Sequence, residues 1–211
     1  CDALDANFEG FESLRARLQD VPHYGNDDDR ADQMGRDVIA AFAETVDRHA
    51  RDHAATVRFP CGVATFSWYI GIGQGLGASP DGRLVGEPVS SNLSPALGRD
   101  LEGICGAILS YSKMHHEALP AGAPLDLRLA RKLVGGDVGT TRMTALIRSL
   151  VDLGGSMMTL TVADTVELRA AQRDPDRYRS LRVRMGGWCA YFTSLSSEQQ
   201  EHHIRRQEGR A

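Results

Sequence analysis

Leu181-Arg182-Val183-Arg184-Met185-Gly186-Gly187-Trp188-Cys189-Ala190-Tyr191-Phe192 is the stretch around which the rest of the chain falls into place. Two short apolar runs are pinched at a glycine pair. Glycine takes up backbone conformations closed to other residues and lets a second backbone come close, so the segment reads as a hairpin or finger-like loop with the pair at its tip. Taken alone, the same pattern is an ordinary turn. Leu195 and then Ser196-Ser197-Glu198-Gln199 follow, the latter a helix start.

Upstream, the chain alternates. Asp174-Pro175 predicts a helix with Pro at its first position, and Asp164-Thr165-Val166-Glu167 resembles a capping box. Residues 157–162 read as a short strand, and 140–153 as a helix stopped by Gly154-Gly155. A further helix is expected over 104–117. Helix, glycine stop, strand and capped helix make a β/α rhythm, hence an α/β fold. Farther back, Phe59 to Tyr69 predicts a buried strand or extended segment, followed by glycines at 71, 73, 75 and 77. That run lacks the last glycine of a dinucleotide fingerprint and the Gly-Lys-Ser/Thr ending of a phosphate loop. Residues 84–102 read as a long loop, which is usually functional or packed against something else. The first third is mainly helical: Phe8, Phe11, Leu14 and Leu18 recur at helical spacing. Asp27 to Asp29 cap a second helix carrying Val38, Phe42 and Val46 on one side.

The 211 residues, 42% hydrophobic and 25% charged, suit one ordinary domain or a compact part of a larger one, and exclude a disordered or collagen-like chain. A net charge of −4 gives nucleic acid no general reason to bind. The charge is uneven: 13 acidic and 6 basic residues in 1–55, against 6 acidic and 9 basic in 167–211. The two ends could face each other or a partner, and solvated helix faces explain the asymmetry as well. No apolar run approaches the ~18 residues of a membrane helix, and nothing at the start looks like a signal peptide. Cysteines at 1, 61, 105 and 189 are too scattered for a disulfide framework, so a reducing, cytoplasmic setting is expected. Neither they nor the His115-His116 and His202-His203 doublets have zinc-ligand spacing, and no metal or nucleotide site is expected.

Residues 181–192 resemble the C-terminal glycyl radical loop of the pyruvate formate-lyase-like enzymes, whose pattern is roughly Val-Arg-Val-small-Gly-Tyr-Ser-x-x-Phe. Val183, Arg184, Met185, Gly186, Gly187, Trp188, Cys189 and Phe192 occupy those places, with Met for Val and Trp for Tyr as departures. The resemblance extends over nearly the whole chain. Asn7-Phe8-Glu9-Gly10, Tyr24-Gly25-Asn26-Asp27 and Ser79-Pro80-Asp81-Gly82-Arg83 match family stretches in order, as do Ser94-Pro95, Arg99-Asp100, Gly103, Ser110 and Lys113. So do Asp152 to Gly155, Asp174 to Tyr178, Gln199, Ile204 and Arg206. The eliminase and dehydratase branch, with its glycerol, choline and hydroxyproline enzymes, looks closer than pyruvate formate-lyase. Departures fall at Ile104-Cys105, where the branch has Pro-Thr, and at Thr159-Leu160-Thr161, where it has Gln-x-Asn.

The resemblance implies that the chain is the C-terminal part of a glycyl radical enzyme β/α barrel. Residues 1–180 would belong to the barrel (helical over 1–55, mixed over 56–180), and 181–211 would form the radical finger loop and terminal helix. A start at Cys1 without Met then marks a chain that begins mid-enzyme, with apolar surface exposed where the rest of the barrel belongs. The resemblance makes Gly187 the store of a protein-derived glycyl radical, with Arg184, Gly186, Trp188 and Phe192 supporting the loop. Glycine suits the role because a side chain would hinder a planar Cα radical delocalised into the flanking peptide groups. Trp188, Tyr191 and Phe192 could seal the loop, or be ordinary core aromatics. The implied reaction is anaerobic radical cleavage of a C–C or C–X bond of a small polar substrate (lyase, dehydratase or formate acetyltransferase-like), begun by a thiyl cysteine outside this chain. Cys61, Cys105 and Cys189 read instead as packing residues. The implied partners are the remainder of the enzyme and a radical S-adenosylmethionine activating enzyme, to which the S-adenosylmethionine and iron–sulfur cluster belong; a homodimer is also allowed. The alternative is a stand-alone spare-part subunit that restores a damaged glycyl radical enzyme.

Overall fold

The computed structural model describes residues 1–54, 56, 57, 59–185 and 188–208. In chain order the helices are α1 (Asp2–Asp5), α2 (Glu12–Gln19), α3 (Asp29–Asp52), α4 (Tyr69–Gln74), α5 (Gly103–Ser112), α6 (Arg131–Val134), α7 (Gly136–Asp152), α8 (Thr165–Arg173) and α9 (Ser197–Glu208). The strands are β1 (Leu125–Leu129), β2 (Met158–Val162), β3 (Arg182–Met185) and β4 (Trp188–Tyr191).

β1 and β2 pair in parallel, with Leu125 opposite Met158 and Leu129 opposite Val162. Parallel neighbours need a crossover, which α6 and α7 provide. Side chains alternate across a strand, so Leu125 and Leu127 share one face with Met158 and Leu160, while Asp126 and Arg128 share the other with Thr159 and Thr161. The first face packs on Ala107, Ile108 and Tyr111 of α5 and Leu150 of α7. Each leucine buried this way stabilises the fold by about 1.5–3 kcal/mol. β1 is buried at every position although two of its five residues are charged, because its polar face is covered as well as its apolar one.

Two further cores flank this one. Ile39 of α3 meets Cys61, Met114, Leu119 and Ala123. Val183 of β3, Phe192 and Ile204 of α9 meet Leu168 and Ala171 of α8. Arg169 of α8 also bridges to Glu201 of α9 at 2.5 Å. β3 and β4 form the expected antiparallel hairpin, with Met185 opposite Trp188.

The expected helix ends hold at several places. The Asp28 side chain accepts from the Arg30 amide at 3.0 Å at the start of α3. Gly154, at φ +80°, follows α7 in the left-handed conformation that glycine adopts without strain. The Gln199 amide donates to Ser196 Oγ, and the Ser196 amide to Gln199 Oε1, a reciprocal box at the start of α9.

Other expectations need correction. Phe59–Tyr69 is not a buried strand: it is irregular up to α4, and Phe59, Phe66 and Trp68 are exposed. Its amides and carbonyls bond to loops instead, as Val63 N–H does to Gly122 O and Thr65 N–H to Asn92 Oδ1. Gly71 and Gly73 lie inside α4, and Gly73 is buried where Glu87 and Pro88 pass. Residues 175–180 form turns and no helix. α8 starts where expected, but Asp164 makes no side-chain cap bond to it and accepts from the Arg131 amide at 3.0 Å. On α3 it is Ile39, with Ala43 and Val46, that reaches the core, whereas Val38 and Phe42 are more than half exposed. Cys61 is buried as expected, but Cys105 and Cys189 are exposed and pack no core.

The chain therefore combines helices with a short parallel sheet and a hairpin. Among the described residues no helix is long and apolar enough to cross a membrane.

Candidate functional site

The polar face of the β1–β2 pair carries the site. A carboxylate, a guanidinium and two hydroxyls buried in a strand pair need hydrogen-bond partners, since an unmet buried polar group costs about 1–3 kcal/mol. Asp126 finds three donors: Ser91 Oγ at 2.5 Å, Asn92 Nδ2 at 2.7 Å and Thr159 Oγ1 at 2.5 Å. Its amide donates to Ser94 Oγ at 2.9 Å. Asn92 has φ +53°, a left-handed conformation that Asn adopts more readily than most residues with a side chain, and its Oδ1 accepts from the Thr65 and Phe66 amides. The long 84–102 loop is thus pinned through Ser91, Asn92 and Ser94 to β1. Sequence reasoning missed this node; its only signal was Ser90-Ser91-Asn92 in a loop and one carboxylate between two leucines.

The β3–β4 hairpin and α9 lie against the rest of that face. The Arg184 amide donates to Thr161 Oγ1 at 3.2 Å, so β2 holds the hairpin by its main chain. Arg128 Nη1 donates to the His203 carbonyl at 2.7 Å, and Arg206 Nη2 to the Asp126 carbonyl at 3.2 Å, joining α9 to β1. Beneath these, Met185 is buried with its Sδ 2.9 Å from His203 Nε2.

His202 and His203 are both buried. Burial, aided by the guanidiniums of Arg206, Arg128 and Arg205, pushes the His202 pKa down from 6.5 to about 2. Burial, with Arg128, His202 and Arg206, likewise holds His203 well below 6.5. The pair therefore stays neutral. The His202 ring lies 4.6 Å from the Tyr69 ring, whose phenol burial pushes up.

The expected site residues divide as follows. Gly186 and Gly187 lie outside the described residues. Arg184 is half-buried, and its guanidinium reaches Cys189 Sγ at 3.2 Å across the hairpin. Trp188 is 49% exposed and Tyr191 46%, so neither seals the hairpin in this structure, whereas Phe192 is fully buried in the core under it. Among the described residues no group of three His, Cys, Asp or Glu side chains is placed to hold a metal ion.

Two family models match the chain: "Glycine radical" over residues 89–193, and "Pyruvate formate lyase-like" over residues 1–73. The chain belongs to the glycyl radical enzyme family. It is 34% identical to an isethionate sulfite-lyase from Desulfovibrio desulfuricans, over 98% of this chain and 25% of that protein. It is 35% identical to a trans-4-hydroxy-L-proline dehydratase from Clostridioides difficile, over 98% of this chain and 26% of that protein. Among solved structures, the glycerol-bound B12-independent glycerol dehydratase from Clostridium butyricum superposes with a TM-score of 0.91 at 31% identity, over 97% of this chain and 26% of that one. These relatives lie in the eliminase and dehydratase branch. The chain spans about a quarter of the length of the relatives it matches.

Proposed function

We propose that this chain supplies the radical-storing part of a glycyl radical enzyme that cleaves a C–C or C–X bond of a small polar substrate without oxygen. The observation that carries this reading is a hairpin with Gly186-Gly187 between its strands, docked on the buried polar face of a parallel strand pair, in a chain whose match to the glycine radical model runs through residue 193. Gly187 holds the radical, and Gly186 fills the small position before it. Arg184 anchors the approach through its amide, Phe192 roots the hairpin in the core, and Trp188 borders the pair. Residues 1–180 are the barrel part and 181–211 the loop and terminal helix.

In turnover, the Gly187 Cα radical takes the hydrogen atom of a cysteine thiol, restoring the glycine and leaving a thiyl radical that attacks substrate. Cys61 is buried in a separate core, and Cys189 sits beside its Arg184 partner; the working thiol is assigned outside this chain. The relatives include a sulfite-lyase and dehydratases, so an elimination reaction is favoured over acyl cleavage. The partners in this reading are the remainder of the enzyme, a second copy, and a radical S-adenosylmethionine activating enzyme that carries its own iron–sulfur cluster. The setting is a reducing, anaerobic cytoplasm, in keeping with four unpaired cysteines. The spare-part alternative is less favoured, because the match over residues 1–73 lies well outside the loop and terminal helix that such a subunit needs.

Anaerobic activation of the complete protein should give an electron paramagnetic resonance doublet from one α-hydrogen, absent in Gly187→Ala. Air should then cut the backbone at Gly187. No doublet and no cut, with an activating enzyme proven on its own substrate, would reject the assignment.

A further inference from the structure

We propose that His203 is a positioning residue for the Gly186-Gly187 tip, acting through the thioether of Met185. The proposal rests on the reading that Gly187 stores the radical. Met185 is the residue immediately before the pair; it is 1% exposed, and its Sδ is 2.9 Å from His203 Nε2. A thioether can only accept, so the contact requires the tautomer with hydrogen on Nε2. His203 Nδ1 has no hydrogen-bond partner among the described residues, so Nε2 is the ring's one polar anchor. Burial and the cations around it keep the ring neutral, so it carries one proton, which the contact to sulfur places on Nε2.

The imidazole is itself fixed. Arg128 holds the His203 carbonyl at 2.7 Å, the neighbouring Ile204 is fully buried in the core, and the Phe192 ring stands 6.5 Å away, edge-on. A Met side chain, by contrast, has three rotatable bonds and no preferred direction of its own. An apolar residue at 203 would fill space without directing the sulfur. A buried imidazole is a costly way to fill space, and the contact to sulfur is what offsets part of that cost. With Thr161 clamping the Arg184 amide, two successive residues before the pair are held, one by main chain and one by side chain. On the other side, Trp188 and Cys189 are exposed. The described end of β3 is therefore held and the described start of β4 is not.

The test is a double-mutant cycle in the complete, activated protein, reading the lifetime of the glycyl doublet under argon. His203→Leu and Met185→Leu should each shorten it by about three- to tenfold, the worth of one hydrogen bond. The double variant should be no worse than the poorer single variant, and His203→Gln, which keeps an N–H donor, should recover most of the loss. A wild-type lifetime in His203→Leu, or losses that multiply in the double variant, would overturn the proposal. If the wild-type protein gives no doublet, the radical reading fails by itself. The coupling is then decided by amide hydrogen exchange at residues 183–185 of the unactivated protein: non-additive acceleration supports it, and additive or absent acceleration rejects it.

Discussion

On one side of the β1–β2 pair, Leu125, Leu127, Met158 and Leu160 meet α5 and α7 mainly through apolar contact. On the other, Asp126, Arg128, Thr159 and Thr161 meet a loop, a hairpin and a terminal helix through directed hydrogen bonds. Both faces of β1 are buried to the same degree. Apolar contact is non-directional and scales with area, so it supplies stability and tolerates small shifts. A buried hydrogen bond contributes little net stability but penalises any arrangement that leaves it unmade, so the polar face selects where the hairpin and loop sit.

The largest expected effect is on the apolar face. Leu127→Ala should cost about 2–5 kcal/mol in denaturant unfolding, by lost burial plus a cavity. A loss under ~1 kcal/mol would mean that this face is not the main support.

Acid should separate the faces next, because only the polar one carries buried histidines. His202 titrates near 2 in the folded protein against 6.5 normally, and His203 shifts in the same direction. The unfolded chain therefore binds protons below pH 6.5 that the folded one refuses. Stability is complete above 6.5 and falls as pH drops from there towards 2, by up to about 1.4 kcal/mol per histidine per pH unit. Thermal unfolding between pH 7 and 5.5 should show this slope, and His202→Gln should flatten it.

Asp126→Ala tests the node directly. Removing the carboxylate takes the shared acceptor from Ser91, Asn92 and Thr159, and each buried donor left unmet costs about 1–3 kcal/mol. Proteolysis within residues 84–102 should rise in the same variant. An unchanged cleavage pattern would show that the loop is held elsewhere.

The smallest effect is expected far from both faces. Phe42 is 51% exposed on α3, in line with Met34 and Val38, so Phe42→Ser should change the stability of this chain by no more than about 0.5 kcal/mol. A larger loss in the complete protein would show that something covers this stripe.

These contrasts mark what could be read from the residues. The hairpin about Gly186-Gly187, the long capped α3, the glycine stop after α7, β2 and the start of α9 are local events, written in turn residues, caps and periodicity. β1 carries the apolar–charged alternation of a strand from Leu125 to Leu129, but that pattern implies a solvated charged face, so the burial of Asp126 and Arg128 was not legible. Residues 59–69 misled in the opposite sense: aromatic and β-branched residues predicted a buried strand or extended segment, yet among the described residues the segment bonds to loops and joins no ladder. Asp174-Pro175 had a helix-start pattern, but the following residues turn towards β3.

The sequence by itself determined the family resemblance, the glycine pair and the succession of helices and strands, because these depend on short-range chemistry and on residue order. Only the tertiary structure decided that His203 meets Met185, that Thr161 holds Arg184, and that Asp126 gathers three donors from distant segments. Those contacts join residues 18 to 35 positions apart, and a hydrogen bond exists only once folding has brought donor and acceptor within reach.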